Sequence, residues 1–470
     1  MDDSFTMTIG GKPVGAPGEG IPVVDPATGK PFAHAPDCTR AQLDAAVAAA
    51  RAAAPGWAAL PFAERQAKVA AIAGVIAGNL DMFKELLTLE QGKPHELAIG
   101  ETQGAAYWAS AVTGLTLPVE RRGDAARQVE IRHVPVGVVG GIVPWNYPLL
   151  SAMMKIAPAL VAGNTMVLKP APTTPLATLR LGELLRGVLP DGVLNIVSGG
   201  NDLGPWLVAH PGIDKVSFTG STATGKRIMQ EAATRLTRIT LELGGNDAAI
   251  VLPDVDVEAV AQKLFWGAFL NSGQICVAAK RIYVHADVYD AFLAAMTRLA
   301  RETRMGVGSA PGIRLGPVQN EAQWRRVQGL AERARAQGLR LITGAAPEAS
   351  GGFFFPVTLV DNPPEDAEIV QEEPFGPILP IMQFTDIDDV VARANGTRFG
   401  LAGSVWSRDI EAASAIADRL ECGAAWVNTI MDSPPDQPLG GHKESGFGVE
   451  SGQLGMLEYM NVQTRVVLPA

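Results

Sequence analysis

The sequence predicts an α/β fold built from two consecutive open α/β domains. Three observations predict it. From Val134 onward, short apolar runs end in Gly or Pro turns and alternate with stretches of helical periodicity. That is the grammar of parallel sheets buried on both faces. After Gly245 the same grammar restarts. Finally, 470 residues with 47% hydrophobic and 19% charged content exceed one simple core and describe a well-buried globule.

The elements follow in order. Residues 1–38 are rich in Gly and Pro and read as surface turns and short strands. Thr39 reads as a helix cap, with Leu43 and Val47 among the first apolar positions. A second helix is read over 62–90, where Val69, Ile72, Ile76, Leu80, Phe83 and Leu87 recur at i+3 and i+4. Residues 120–135 are charged and then alternate, with Val129, Ile131 and His133 on one face, so this strand-like segment need not join the main sheet. Strands are then read over 136–144, 165–169, 193–198 and 237–243, with helices over 149–162, 176–188 and 223–233 between them. Residues 242–245 read as the linker. The second domain begins with a strand over 248–251, a helix over 257–269 and a strand over 281–284.

The net charge of −10 comes from interspersed acidic and basic residues, which argues against a nucleic-acid partner. Cys38, Cys276 and Cys422 form no C-x-x-C, and the six histidines form no H-E-x-x-H, so neither a disulfide framework nor a metal site is expected. A reducing cytoplasm fits this cysteine usage. The start, Met1-Asp2-Asp3-Ser4, is acidic and lacks an apolar h-region, so no signal peptide is read. The apolar stretch 134–143 is too short and Gly-rich to span a bilayer, and no membrane association is expected.

Candidate chemistry centres on Cys276, at the end of Asn271-Ser272-Gly273-Gln274-Ile275-Cys276, and on Glu242, 34 positions earlier in Leu241-Glu242-Leu243-Gly244-Gly245. A thiolate attacks carbonyls well, and a carboxylate can activate the water that breaks a thioester. A lone cysteine is most often a small buried hydrophobe, but a small-residue loop past a helix can expose its sulfur. Glutamate is usually a surface group, yet Leu241 and Leu243 argue for a semi-buried one with a raised pKa. Asn146, in Pro144-Trp145-Asn146-Tyr147-Pro148, reads equally as a turn residue and as an amide donor to an oxyanion. Gly220 to Lys226 matches the spacing of a P-loop, but Arg227 stands where Ser or Thr would hold magnesium. The segment reads as a pyrophosphate site at a helix N-terminus. Lys169-Pro170-Ala171-Pro172 follows a strand, where open α/β sheets bind ligands. Glu372-Glu373-Pro374-Phe375-Gly376-Pro377 reads as an acidic turn or as a shelf for a flat ring.

Together these motifs resemble the aldehyde dehydrogenase superfamily, from Val24-Asp25-Pro26-Ala27-Thr28-Gly29 to Pro438-Leu439-Gly440-Gly441-His442-Lys443-Glu444-Ser445-Gly446. The resemblance implies Rossmann-like domains, with a cofactor domain over 1–116 and 136–244 and a catalytic domain over 245–443. It implies an oligomerisation arm over 117–135 and 457–470, and a homodimer or homotetramer. It makes Cys276 the nucleophile, Glu242 the base for deacylation, Asn146 with the Cys276 N–H the oxyanion hole, and Lys155 part of a proton relay. NAD or NADP would contact Lys169 at the adenosine ribose, Gly199, Gly220 and Ser221 at the pyrophosphate, Glu373 at the nicotinamide ribose and Phe375 beside the nicotinamide. Pro144, Trp145, Pro172, Leu243 and Gly244 complete those contacts. The implied reaction oxidises an aldehyde through a Cys276 thiohemiacetal and a thioester.

One departure bears on the cofactor. Where many NAD-preferring members carry a glutamate, this chain has Pro172, so NAD is expected and NADP is compatible. Leu149, Leu150, Met153, Met154, Phe269, Val277 and Ile430 form the expected substrate tunnel, and no arginine neighbours Cys276 in sequence. An uncharged aliphatic or aromatic aldehyde follows. The competing readings are a cysteine-dependent esterase or thioesterase without redox chemistry and a coenzyme A-acylating semialdehyde dehydrogenase.

Overall fold

The computed structural model describes residues 4–349 and 351–468, so Met1-Asp2-Asp3 and the end of the 457–470 segment lie outside the described residues. Thr39 caps α1 (Arg40–Ala59) as expected. Its hydroxyl accepts the Gln42 N–H at 3.2 Å while Gln42 Oε1 accepts the Thr39 N–H at 2.9 Å. Such a cap contributes about 1 kcal/mol. The 62–90 stretch is not one helix. It divides into α2 (Phe62–Ala77) and α3 (Leu80–Gln91) at Gly78 and Asn79. Both residues are weak helix formers. The apolar stripe continues across the break because both helices face the same core, which hides the break from a periodicity count. A fourth helix, α4 (His95–Ala111), packs across both.

The first sheet has eight strands in the order Lys12–Val14, Met7–Ile9, Leu194–Ile196, Thr165–Lys169, Val138–Ile142, Lys215–Thr219, Arg238–Glu242 and Gly446–Phe447. The middle five are parallel. Four strands, Lys12–Val14, Met7–Ile9, Lys215–Thr219 and Gly446–Phe447, extend the sheet beyond those read from the sequence. Met7–Ile9 is fully buried in it and so is no surface wrap, and Gly446–Phe447 returns from the far end of the chain to pair with Arg238–Glu242. Helices α5 (Pro148–Val161), α6 (Leu176–Leu184), α7 (Leu203–Ala209) and α8 (Thr222–Ala233) lie between its strands.

Strand Val138–Ile142 is the switch point. Its sequence successor Thr165–Lys169 lies on one side and Lys215–Thr219 on the other. A crevice opens beyond the carboxyl ends of strands at such a reversal. Register places Ile142 beside Lys169 and Phe218, and Thr219 beside Glu242. Asn146, Lys169, Gly220 and Glu242 therefore leave the sheet along one edge.

The chain crosses to a second sheet between Glu242 and Asp247. Its order is Arg340–Thr343, Thr358–Asp361, Ile378–Phe384, Ala279–His285, Asp247–Val251, Ala402–Trp406 and Ala424–Val427, parallel except for the first pair. Successive residues serve opposite cores: Ala249 and Val251 one face, Ala248 and Ile250 the other. Helix α9 (Val257–Phe269) follows Asp247–Val251. A separate three-stranded antiparallel sheet joins Met460–Val467, Gln128–Pro135 and Val119–Gly123, which keeps the 120–135 segment out of both large sheets. Among the described residues, no helix is long and apolar enough to cross a membrane.

Candidate active site

Cys276 follows α9 through a 3₁₀ turn, Leu270–Gly273, with three consecutive left-handed residues: Asn271 (φ 51°), Ser272 (φ 56°) and Gly273 (φ 75°). For a non-glycine residue this costs about 1–2 kcal/mol, so the surroundings must hold it. Ser272 Oγ donates to the Gly316 carbonyl at 2.7 Å. Gln274 donates to the Asn271 carbonyl at 2.8 Å and accepts the Gln319 N–H at 2.9 Å. A side chain on Gly273 would collide with the Gly376 backbone. Lys280 Nζ then gathers the loop's carbonyls, donating to Ile275 at 2.8 Å and Cys276 at 2.5 Å.

This loop presents Cys276, partly exposed, to a cavity of about 350 Å³ that Asn146, Gly244, Glu373 and Phe375 also line. Burial pushes the thiol up to about 12, against the pull of Lys280 and with the help of Glu373, Asp247 and Glu242. The resting group is a neutral thiol. No histidine lines this cavity beside Cys276, which disfavours a Cys–His hydrolase.

Asn146 is 7% exposed, and its Nδ2 donates to the Gln274 carbonyl at 2.9 Å. That bond uses one of two amide hydrogens and ties the amide to the Cys276 loop. The second hydrogen is available to a ligand oxygen. Glu242 is 6% exposed at its strand end, and its Oε1 has no hydrogen-bond partner. Burial first, and Glu450 second, hold this carboxyl well above the usual range, with Lys155 opposing. Lys155 lies behind it, donating to Ser217 Oγ at 3.0 Å and pairing with Glu450. Glu450 had no sequence signal.

A second cavity, of about 880 Å³, shares Pro144, Trp145, Gly220 and Ser221 with the first, so the two form one groove. Lys169 and Pro172 line this larger half, with Arg40, Asn201, Trp206, Arg227 and Glu231, which sequence reading did not assign to it. Burial pushes the Lys169 ammonium down to about 8. Ser221 caps α8, accepting the Thr224 N–H at 3.3 Å, and aims its N-terminus at the groove. Gly225 permits the close approach of α8, since a Cβ there would lie 2.5 Å from Leu243 Cδ2. Gly244 leaves room for the Glu373 carboxylate, which accepts the Gly245 N–H at 3.2 Å and pairs with Lys280 at 3.4 Å. Phe375 meets Trp145 edge-to-face at 5.3 Å. These donors, carboxylate and ring faces fit a dinucleotide with its pyrophosphate near α8.

Three predicted residues stand apart from the groove lining. Glu242 and Lys155 lie buried beside it, and Gly199 packs toward Leu203 and Asp37, leaving Asn201 to line the groove. The expected tunnel needs correction. Leu149, Met153 and Phe269 are wholly buried in the cores and cannot line an open passage. Leu150, Met154, Val277 and Ile430 keep partial exposure. The helical period of α5 turns Leu149 and Met153 inward and Leu150 and Met154 outward. Two arginines do line the Cys276 cavity, Arg326 and Arg398, but both pair with Glu372, at 3.8 and 2.8 Å.

Residues 14–465 match the model of the aldehyde dehydrogenase family. The chain is 40% identical over 466 residues to aldehyde dehydrogenase LUC3 of a Fusarium species, covering 99% of this chain and 98% of that one. Among solved structures it is similar to a betaine aldehyde dehydrogenase from Staphylococcus aureus in complex with NAD+ (TM-score 0.94, 32% identity, 98% and 94% of the two chains covered). It is also similar to an Escherichia coli NADP-dependent enzyme (TM-score 0.94, 35% identity, 99% and 98% covered).

Proposed function

Because the chain belongs to the aldehyde dehydrogenase family and oxidises an aldehyde with NAD(P)+, we propose that Cys276 is the nucleophile of that reaction, Asn146 its oxyanion donor and Glu242 its hydrolytic base. The observation that carries this reading is one cavity where a thiol, a side-chain amide and the Glu373 carboxylate meet at the end of the dinucleotide groove.

Cys276 gives up its thiol proton to solvent as Sγ adds to the aldehyde carbon, and the new oxyanion accepts hydrogen bonds from the second Asn146 amide hydrogen and the Cys276 N–H. A bound nicotinamide supplies the hydride acceptor. Once the thioester forms, Glu242 removes a proton from water, the hydroxide adds to the acyl carbon, and Cys276 departs as the carboxylic acid is released. Lys155 and Glu450, a pair whose charges act on Glu242, serve as the relay for the proton that Glu242 gains. Glu373 and Phe375 orient the nicotinamide half, and Lys169 the adenosine ribose.

The unit over 1–116 and 136–244 binds the cofactor, and 245–443 supplies the nucleophile. NAD serves as cofactor, and Pro172 with Lys169, Arg40 and Arg227 also supports NADP. The apolar character of Leu150, Met154, Val277 and Ile430 supports an uncharged aliphatic or aromatic aldehyde. The arm, over 117–135 and 457–470, exposes Val119, Val462 and Val466 along the outer strands of its sheet and Leu468 just beyond one of them, which supports a homodimer or homotetramer. Unpaired Cys38, Cys276 and Cys422 support a cytoplasmic setting. The buried Glu242 favours water over coenzyme A as acyl acceptor.

The test is absorbance at 340 nm with a panel of aldehydes, either cofactor and a Cys276→Ala control. Reduced cofactor that depends on Cys276, with free acid as product, is expected. Strong preference for an anionic semialdehyde would overturn the substrate class. Acyl-coenzyme A as the sole product would overturn hydrolysis.

A further inference from the structure

Behind the oxyanion donor lies an ion pair that the chemistry above does not use. Lys93 and Glu101 are bonded to each other, and both side chains are 0% exposed. Lys93 Nζ also donates to the Asn146 carbonyl at 2.9 Å and lies 3.8 Å from the centre of the Tyr147 ring. The second oxygen of Glu101 accepts the N–H groups of Leu149 at 2.9 Å and Leu150 at 3.2 Å. Those amides open α5, whose N-cap residue Tyr147 supplies no side-chain acceptor. Glu101 is therefore a cap delivered from α4, and it anchors the chain on the far side of Asn146 from Trp145. Asn271, in the strained nucleophile loop, completes the clasp by donating to the same Asn146 carbonyl at 3.2 Å.

Stability alone does not account for such a pair. The cost of desolvating two charges commonly matches or exceeds their attraction, and apolar residues of the same size often do as well. What the charges provide is direction. The Asn146 carbonyl receives two donors, and the following helix turn receives a carboxylate, so the backbone on both sides of the Asn146 side chain is pinned. Neither Lys93 nor Glu101 lines the cavity of Cys276.

We propose that Lys93 and Glu101 form a positioning pair that aims the Asn146 amide at the reacting oxygen. The inference rests on the reading of Asn146 as the oxyanion donor. The test is a double-mutant cycle of Lys93→Met and Asn146→Ala, read as kcat with hexanal and NAD+ alongside the Kd for NAD+ from fluorescence quenching. In the native background Lys93→Met is expected to lower kcat about 10- to 100-fold, the scale of a misplaced catalytic group, with the Kd within about twofold. In the Asn146→Ala background the same change is expected to cost less than about threefold, because no amide remains to be aimed. An equal cost in both backgrounds, or an unchanged kcat, overturns the proposal. If Asn146→Ala itself leaves kcat intact, the oxyanion assignment falls, and the positioning role falls with it. Should Lys93→Met fail to fold with an unpaired buried carboxylate, Lys93→Met/Glu101→Gln enters the cycle in its place with the same expectations.

Discussion

The two halves of the cofactor groove are built by different means. The larger half uses what an open sheet offers anyway: strand ends, a helix N-terminus and the edges of loops. No non-glycine residue lining it is left-handed. The larger half holds one buried charge, the Lys169 ammonium, whereas the smaller half, around Cys276, collects most of the costly features. Phe375 (φ 46°), Asn271 and Ser272 are left-handed there, Glu242, Lys280 and the Lys93–Glu101 pair are buried in or beside it, and Glu373 is half-buried. Recognition of a long flexible cofactor tolerates generic edges. Bond-making needs groups held within fractions of an ångström, and that demands strain and buried charge supported by neighbours.

This contrast can be broken most severely at the thiol. Cys276→Ala is expected to lower cofactor reduction by roughly 10⁴-fold or more while the Kd for NAD+ changes little. Loss of cofactor binding in that variant would mean the two halves are not separable. Next in size is Glu242→Gln, expected to slow turnover about 10²- to 10⁴-fold. Rapid mixing should still show a burst of reduced cofactor near one equivalent per site, because only deacylation is lost; absence of the burst would place Glu242 earlier in the reaction. A change in the generous half should act on affinity alone. Pro172→Glu is expected to shift the NADP:NAD preference toward NAD by about tenfold without altering kcat, and a fall in kcat would contradict the division. The smallest effect is in pH. A carboxyl held above its usual range loses its proton only as pH rises, so kcat should keep climbing with pH beyond the range in which ordinary carboxyls are already ionised. A plateau reached by pH 6 would show that Glu242 is already ionised. At the other end of the groove, Lys169 near 8 should make NADP binding weaken relative to NAD as pH passes that value.

The parts legible in the sequence are those with local causes. Thr39 and Gln42 are three residues apart, Ser221 opens its own helix, and the strands ending at Lys169 and Glu242 announce themselves by apolar runs. Cys276 was legible because glycine and small residues cluster before it. The rest depends on residues that meet only after folding. Glu450 joins Lys155 across 295 positions, and Glu101 caps a helix 48 positions away. Neither carries a pattern of its own. The break at Gly78 and the inward turn of Leu149 and Met153 were hidden for a related reason: periodicity reports which residues share a face but not what that face meets.

The pairing of residues 446–467 with much earlier segments also sets a clock. Glu450, Gly446–Phe447 and Met460–Val467 are made well after the segments they pair with, Lys155, Arg238–Glu242 and Gln128–Pro135. At typical synthesis rates roughly 15–60 s separate the emergence of Lys155 from that of its carboxylate partner. A nascent chain therefore carries the Cys276 loop before Lys155 has its carboxylate partner, and that buried charge is matched only once Glu450 has been made.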